Sequence, residues 1–247
     1  MIEYPHYFEG QTTVEGDPLF ARLPHMLVMD AEPLLPRGSS VLDVGACDGT
    51  SGTYLALAGH KVHSIELNPD YIENGRRIIS ALGGLALANT MVQGDMRNLN
   101  FEAEFDAVIA TGSLQLVTMP EARQVIRKLR AATKPGGLNI INAFIATPDQ
   151  QALIPNRALF EPEELYRLYQ DAGWIIDHPP KTKLFQLTTS VDEGILHYWN
   201  TSTEQLIARK PDSAREVARR ALVAEAQLYR HADPGLYDDL MEQAAAL

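Results

Sequence analysis

A short apolar run that ends among glycines and acids is the first part of the sequence that could do chemistry. The run Val41–Val44 stops at Gly45, small residues follow, and a helix is predicted to begin near Thr50. Backbone N–H groups at such a helix start point towards a ligand. A dinucleotide fingerprint would need glycine at 45, 47 and 50, but Cys47 and Thr50 occupy two of these positions. The pattern therefore predicts a ligand-binding strand, turn and helix of another kind.

A carboxylate at the end of the next predicted strand is the second candidate ligand group. The strand 61–67 carries Glu66, and Asn68-Pro69 begins the following helix. An acid at this position of a nucleotide-binding fold can accept hydrogen bonds from both hydroxyl groups of a ribose. Because Glu66 lies one strand–helix–strand unit after Gly49, we favour this role over that of a solvated surface glutamate.

The elements that must position these residues alternate between strand and helix. Further strands are predicted at 91–93, 105–110, 138–144, 174–187 and 194–209, with helices at 24–35, 50–59, 69–82 and 119–131 and a late helix that ends at Gly173. Such alternation predicts an α/β, Rossmann-like, doubly wound and mostly parallel seven-stranded sheet, with an N-terminal aromatic arm and a C-terminal helical extension. Ligands of such sheets bind outside the carboxyl ends of the strands, where Gly45, Glu66, Asp95 and Thr111–Gln115 are expected.

Several stretches resemble class I S-adenosylmethionine-dependent methyltransferases. Asp43, Gly45 and Gly49 match the first motif of that family, D-x-G-x-G-x-G, with Cys47 in place of the middle glycine. The stretches LRAATKPGG at 129–137 and FEPEEL at 160–165 are also similar to sequences of the family. The segment 194–211 resembles the tail of the tellurite-resistance and thiopurine-type branch, although the arginines that follow the histidine in that branch are absent before Arg209. The resemblance covers roughly residues 38–210.

The resemblance implies S-adenosylmethionine as the cofactor. It also assigns particular residues to each part of that cofactor. The turn after the first strand would hold the methionine part, Glu66 the ribose, and Asp95 with Met96 the adenine, with Leu67 over one face of the ring. The predicted cofactor-binding residues are Asp43, Gly45, Ala46, Cys47, Gly49, Glu66, Leu67, Asp95, Met96, Thr111 and Gly112.

Methyl transfer from a sulfonium depends mainly on in-line positioning and on exclusion of water, and aromatic walls suit a cation. The candidate catalytic residues are His197, as a general base, and Tyr7, as an aromatic wall in the N-terminal arm. His197 is preferred among the histidines because 194–199 should lie near the acceptor, but a histidine that only packs on a sheet face is the alternative. The candidate substrate-binding residues are Tyr4, Phe8, Gln115, Phe144, Tyr198 and Trp199.

Other chemistries find little support in the sequence. The single cysteine, Cys47, excludes an internal disulfide and a cysteine-rich metal site, and no histidine or other base adjoins it in sequence to activate it as a nucleophile. We interpret Cys47 as a small residue tolerated in a turn. The patterns H-E-x-x-H and G-x-S-x-G are absent, so neither a zinc site nor a hydrolase is predicted.

Composition limits the partners and the domain organisation. The 247 residues are 45% hydrophobic, enough for one good core, and the net charge of −11 disfavours nucleic acid and anionic membrane surfaces. With no signal peptide or membrane-spanning run evident, a cytoplasmic protein is expected. We predict an N-terminal arm and helix at 1–37, either a lid or a packed arm, a cofactor-binding domain at 38–211, and a helical extension at 212–247. The extension either covers the sheet edge or forms a homodimer.

The predicted function is methyl transfer from S-adenosylmethionine to the N, O or S atom of a small molecule. An RNA methyltransferase is an alternative, weakened by the acidic charge and by Thr111-Gly112-Ser113-Leu114 where N-P-P-Y or D-P-P-Y would stand. A cyclase or lyase that uses S-adenosylmethionine without methyl transfer is another, since one fold supports several chemistries. A non-catalytic cofactor-binding partner protein is the third.

Overall fold

A computed structural model of the protein describes residues 24–146, 156–178, 183–192, 195–211 and 234–246, with a few helical positions between 218 and 226. The first helix, α1, spans Met26–Ala31. It is followed by β1 Ser40–Val44, α2 Thr50–Leu57, β2 Lys61–Glu66, α3 Pro69–Leu82, β3 Asn89–Gln93 and β4 Phe105–Ala110. The remaining elements are α4 Met119–Ala132, β5 Thr133–Ile145, α5 Glu164–Gln170, β6 Ile175–His178, β7 Lys183–Asp192, β8 Ile195–Arg209 and α6 Pro234–Ala246.

Seven of the strands form one continuous sheet in the order β3-β2-β1-β4-β5-β8-β6. Strands β1 to β5 are parallel to one another, and β8 is antiparallel to β5. The eighth strand, β7, pairs with the first part of β8, while β6 pairs with its last residues. The α/β, Rossmann-like, mostly parallel sheet predicted from the sequence is therefore confirmed.

Helices cover both faces of this sheet. On one face α4 and α5 bury Ile126, Leu129 and Leu165 against strand residues such as Val108 and Leu206. On the other face α1, α2 and α3 bury a second set of apolar side chains, which includes Leu27, Val28, Tyr54, Leu55 and Ile78. Each fully buried aliphatic side chain contributes ~1.5–3 kcal/mol. This two-sided burial explains why the central strands are predominantly apolar.

A buried polar network ties α4, α5 and β5 together. The hydroxyl of Tyr169 donates to Asn139 Oδ1 at 2.8 Å, and Asn139 Nδ2 donates to Thr133 Oγ1 at 2.6 Å. Thr133 Oγ1 in turn donates to the carbonyl oxygen of Leu129 at 2.8 Å. All the buried polar groups of this network therefore have partners, as a stable core requires.

Three of the differences from the predicted boundaries have an evident physical cause. Strand β5 begins at Thr133 because Gly136 N–H and Gly137 C=O bond to Lys210, which extends the sheet across a stretch expected to turn. The strand predicted at 174–187 is divided into β6 and β7, with Pro179 and Pro180 between them, and proline cannot donate to a sheet ladder. Helix α1 gives way to a 3-10 turn at Glu32–Leu34, where Pro33 falls.

The carboxylate of Glu204 lies at the start of α5. It is 3% exposed and accepts from the backbone N–H groups of Leu165, Glu163 and Tyr166. Burial raises the pKa of this carboxyl group, and the N–H groups oppose the shift only in part. Within the described residues, Glu204 Oε2 has no hydrogen-bond partner. This environment therefore favours the neutral form of the Glu204 carboxyl group over the ionised form.

We expect Glu204→Gln to stabilise the protein at neutral pH. A carboxyl group with a raised folded pKa binds more protons in the folded state than in the unfolded state between the two pKa values, so the parent loses stability as pH rises through that window. The neutral amide does not titrate, and its Oε1 can still accept from the helix start. Melting temperatures from pH 4 to 8 should diverge in favour of the variant as pH rises. The exposed Glu102→Gln is the control, and parallel profiles for parent and Glu204→Gln would contradict the expectation.

Candidate functional site

Three of the residues predicted at the carboxyl ends of the parallel strands line one cavity, whereas Thr111–Gln115 do not. Gly45 follows β1, Glu66 ends β2, and Asp95 follows β3. The cavity has a volume of ≈ 380 Å³. Its lining is formed by Gly45, Ile65, Glu66, Leu67, Gly94, Asp95, Met96, Arg97, Leu116, Val117, Thr118, Glu121 and Asn156. The structure thus brings together three strand ends that are separated in sequence, at the edge where parallel sheets bind ligands.

Two glycines shape the turn after β1. Gly45 has φ of 72°, and a Cβ atom there would lie 2.5 Å from Ser113 Cβ, closer than real Cβ contacts allow. Gly49 has φ of 73°, and its Cβ would lie 2.7 Å from Met91 Sδ. The N–H groups of Gly45 and Ala46 both donate to the carbonyl oxygen of Ile65. Positive φ therefore favours glycine at both positions, and at Gly45 the close approach of Ser113 Cβ adds to that requirement.

Cys47 stands between these glycines in the same left-handed backbone region. Its φ is 52°, a conformation that typically costs ~1–2 kcal/mol in a residue with a Cβ atom. Its N–H donates to Glu66 Oε2 at 2.8 Å. This bond helps to offset the strain and fixes the turn after β1 against the end of β2.

Glu66 accepts backbone hydrogen bonds through both carboxylate oxygens. Besides the bond from Cys47, Glu66 Oε1 accepts from the N–H groups of Leu67 at 2.8 Å and Asn68 at 2.9 Å. A carboxylate has about four acceptor directions. One direction on Oε2 therefore remains for a hydroxyl group of a ligand in the cavity.

An arginine that the sequence analysis did not single out is paired with Asp95. Arg97 Nη2 lies 2.6 Å from Asp95 Oδ2, and Arg97 Nε lies 3.0 Å from Oδ1. Arg97 Nη1 also donates to Glu121 at 3.3 Å. The hydrogen bonds from Arg97 lower the pKa of Asp95. The signal in the sequence was an acid and an arginine two residues apart at a strand end.

Glu121 links this pair to helix α4. Its carboxylate accepts from the N–H of Thr118 at 2.9 Å and from the Thr118 hydroxyl at 2.8 Å, as part of the capping box that starts α4. The adenine side of the predicted site, from Asp95 through Arg97 to Glu121, is thus one connected hydrogen-bond network.

Leu67 and Met96 also line this cavity, but the other predicted cofactor-binding residues do not. Asp43 is buried in β1, and Ala46, Cys47 and Gly49 form the turn that follows. Thr111 and Gly112 follow β4, where Gln115 Nε2 donates to the carbonyl oxygen of Gly112 at 2.6 Å. Their roles in cofactor binding remain predictions.

The predicted catalytic and substrate-binding residues are described only in part. Tyr4, Tyr7 and Phe8 lie outside the described residues. His197, Tyr198 and Trp199 lie in the first part of β8, opposite Thr189, Thr188 and Leu187 of β7, and only their backbone is described. Strand β8 pairs with β5 from Ser202 onwards, so these three residues lie beyond the end of β5. Phe144, half-buried near the end of β5, pairs with Thr203.

Two further properties of the described part of the chain bear on function. In the described residues, no group of three or more histidine, cysteine, aspartate or glutamate residues is placed to hold a metal ion. A search of the same residues finds no helix that is long and apolar enough to cross a membrane.

Comparison with known proteins gives a consistent picture. A family model described as "Tellurite resistance protein TehB" matches residues 22–181. The chain is 26% identical over 148 residues to the probable S-adenosyl-L-methionine-dependent methyltransferase TehB of Haemophilus influenzae, covering 60% of this chain and 50% of that protein. It is 32% identical over 143 residues to a ubiquinone biosynthesis O-methyltransferase of Xanthomonas axonopodis, covering 55% and 56%.

The solved structures agree on the fold. The crystal structure of TehB from Haemophilus influenzae superposes with a TM-score of 0.61 at 23% identity, over 75% of this chain and 62% of that chain. The chain spans about half the length of the curated relatives it matches.

We expect Gly45→Ala to lower stability more than an equally strained substitution elsewhere. The matched control is Gly173→Ala, because Gly173 has φ of 75° and nothing within 4 Å of its missing Cβ, whereas Gly45 would meet Ser113. Because Ser113 must move to accommodate the new Cβ, Gly45→Ala should lower the free energy of unfolding by ~1–3 kcal/mol more than Gly173→Ala does. Urea denaturation of both variants measures the difference. Equal losses of unfolding free energy in the two variants would contradict this expectation, because they would show that Ser113 moves aside at no cost.

Proposed function

Because the chain belongs to the TehB family of class I S-adenosylmethionine-dependent methyltransferases, we propose that it transfers a methyl group from S-adenosylmethionine to a small-molecule N, O or S acceptor. The observation that carries the proposal is the convergence of Gly45, Glu66 and Asp95 on one cavity. These residues come from three strand ends, and the family resemblance assigns them to three different parts of one ligand.

The residues around the cavity fit this cofactor. The turn at Gly45–Gly49 is our candidate for holding the methionine part. Glu66 keeps an acceptor direction for a ribose hydroxyl, and Asp95 lines the cavity on the side predicted for adenine. Bound S-adenosylmethionine would supply an activated methyl group on a positive sulfonium, which passes to a lone pair of the acceptor. Leu67, which is exposed and lines the cavity, is our candidate for covering one face of the adenine ring.

The contribution of the protein to the reaction is mainly positional. Holding donor and acceptor atoms in line removes much of the entropic barrier, and a closed site excludes water as a competing nucleophile. His197 remains our candidate for taking the acceptor proton, and Tyr7, Phe144, Tyr198 and Trp199 our candidates for the walls. A small acceptor is preferred to RNA because the net charge of −11 opposes a phosphate backbone.

The cofactor assignment is tested by replacing Glu66. We expect Glu66→Ala to weaken S-adenosylmethionine binding at least tenfold, since hydrogen bonds to a charged group are typically worth ~1.5–3 kcal/mol and the variant also releases the Cys47 N–H that fixes the turn. Isothermal titration calorimetry measures the affinity, with Glu104→Ala, an exposed glutamate just before β4, as the control. An unchanged affinity in Glu66→Ala would refute the assignment.

Arg97 provides a second test of the adenine side. We expect Arg97→Met to weaken cofactor binding about two- to fivefold, the modest effect typical of an exposed ion pair, because Asp95 would no longer be held in one orientation. The matched control is Arg123→Met. Like Arg97, Arg123 is 46% exposed. It is paired with Glu164 and does not line the cavity. Equal affinities of the two variants for S-adenosylmethionine would argue against a positioning role for Arg97.

A further inference from the structure

A buried asparagine of β3 is hydrogen-bonded to the end of the turn that follows β1. Asn89 is the first residue of β3 and is 3% exposed. Its Nδ2 donates to the carbonyl oxygen of Gly49 at 3.4 Å and to Thr53 Oγ1 at 3.2 Å. Its Oδ1 accepts from the hydroxyl of Ser64, a fully buried residue of β2, at 2.7 Å. One side chain therefore joins two strands to the turn and to the first residues of α2.

Glycines in two helices allow this close packing. A Cβ atom at Gly52, in α2, would lie 2.6 Å from Ser64 Oγ and 2.9 Å from Asn89 Nδ2. A Cβ atom at Gly75, in α3, would lie 2.7 Å from the carbonyl oxygen of Asp48 in the turn. Glycine inside a helix is less favourable than alanine, so such positions need a packing reason. Here the reason is the close approach of both helices to the polar side chains and the backbone around the turn.

Strand β2 supports the turn at two points. Ser64 and Glu66 are two residues apart, so their side chains lie on the same face of the strand. Glu66 accepts the N–H of Cys47 in the middle of the turn, and Ser64 orients the amide of Asn89 that bonds to Gly49 at its end. The middle and the end of the turn are therefore held by side chains of the sheet.

The position of Gly49 affects the part of the turn that lines the cavity. The N–H of Gly49 donates to the carbonyl oxygen of Ala46 at 2.9 Å, and the N–H of Ala46 donates to the carbonyl oxygen of Ile65 at 3.1 Å. Gly45, which precedes Ala46, lines the cavity. A displacement of Gly49 would therefore be passed on to the backbone at the cavity wall.

We propose that Asn89 and Ser64 are positioning residues for the cofactor, which hold the turn Gly45–Gly49 in the conformation that binds the methionine part of S-adenosylmethionine. The proposal rests on the proposed function. Neither side chain is part of the lining of the described cavity, so both act through the turn. Glycines make this turn conformationally permissive, and hydrogen bonds from the sheet reduce the ordering that ligand binding would otherwise require.

This support concerns one part of the ligand. The groups predicted to bind the nucleoside are held by bonds that do not involve Asn89. Glu66 also accepts two N–H groups of its own loop, and Asp95 is bonded to Arg97. Loss of the Asn89 bonds should therefore weaken binding of the methionine part and leave binding of the nucleoside largely intact.

Two ligands separate these parts of the cofactor. S-adenosylhomocysteine contains the amino-acid part, whereas 5′-methylthioadenosine retains the adenosine and the sulfur atom but lacks that part. Calorimetry measures the affinity of the full chain for each. We expect Asn89→Leu to weaken S-adenosylhomocysteine binding about tenfold and 5′-methylthioadenosine binding less than about twofold. Ser64→Ala, which removes only the support of the amide, should weaken S-adenosylhomocysteine binding about threefold.

The matched control is Asn139→Leu. Asn139 is also a buried strand asparagine whose Nδ2 donates to a threonine hydroxyl, that of Thr133, and its Oδ1 accepts from Tyr169. It is bonded to neither the turn nor its neighbours, and it does not line the cavity. Both asparagine variants should lower the melting temperature, because each leaves buried polar groups without a partner. The control should leave both ligand affinities close to those of the parent.

Two results would overturn the positioning role. One is an equal loss of S-adenosylhomocysteine affinity in Asn89→Leu and Asn139→Leu, and the other is an equal loss of affinity for both ligands in Asn89→Leu. If circular dichroism shows that Asn89→Leu does not fold, an unchanged S-adenosylhomocysteine affinity in Ser64→Ala overturns it instead. A parent that does not bind S-adenosylhomocysteine would refute the proposed function itself, and this inference with it.

Discussion

The carboxylate of Glu66 holds together the loops on which the candidate site is built. It accepts the N–H of Cys47 from the turn after β1, and those of Leu67 and Asn68 from the loop after β2. Charge-assisted bonds of this kind are about twice as strong as neutral ones. They fix two loops from different strands in one geometry, including the positive φ of Cys47. A ligand hydroxyl that bonds to Glu66 therefore meets an acceptor already in place.

The same arrangement recurs on the other side of the cavity. Asp95 is bonded to Arg97, Arg97 to Glu121, and Glu121 to the N-terminus of α4. Each acidic group near the predicted nucleoside site is thus held by the protein through groups that do not need to leave when a ligand binds. Such preorganisation reduces the ordering that binding would otherwise require.

The parts of the fold that could be predicted from sequence are those with local causes. Helix α3 spans Pro69–Leu82 as predicted, because Asn68 caps it, proline suits its first position and Gly83 ends it. Strand β4 likewise matches its apolar run. The start of β5 and the pairing of Arg97 with Asp95 escaped prediction. The first depends on bonds to Lys210, far along the chain, and the second on a side-chain conformation that sequence spacing does not determine.

Neighbouring residues of β8 show how one strand presents different side chains to the two faces of the sheet. Side chains alternate between the two faces of a sheet, so Thr203 and Glu204 enter different surroundings although both are buried. Glu204 meets the N–H groups of α5 and helps to attach that helix. Thr203 and Gln205 face the other way, beyond the apolar pair Ile140 and Ile207. Substitutions at alternate positions of β5 and β8 can therefore change one face of the sheet without disturbing the contacts of Glu204 with α5 on the opposite face.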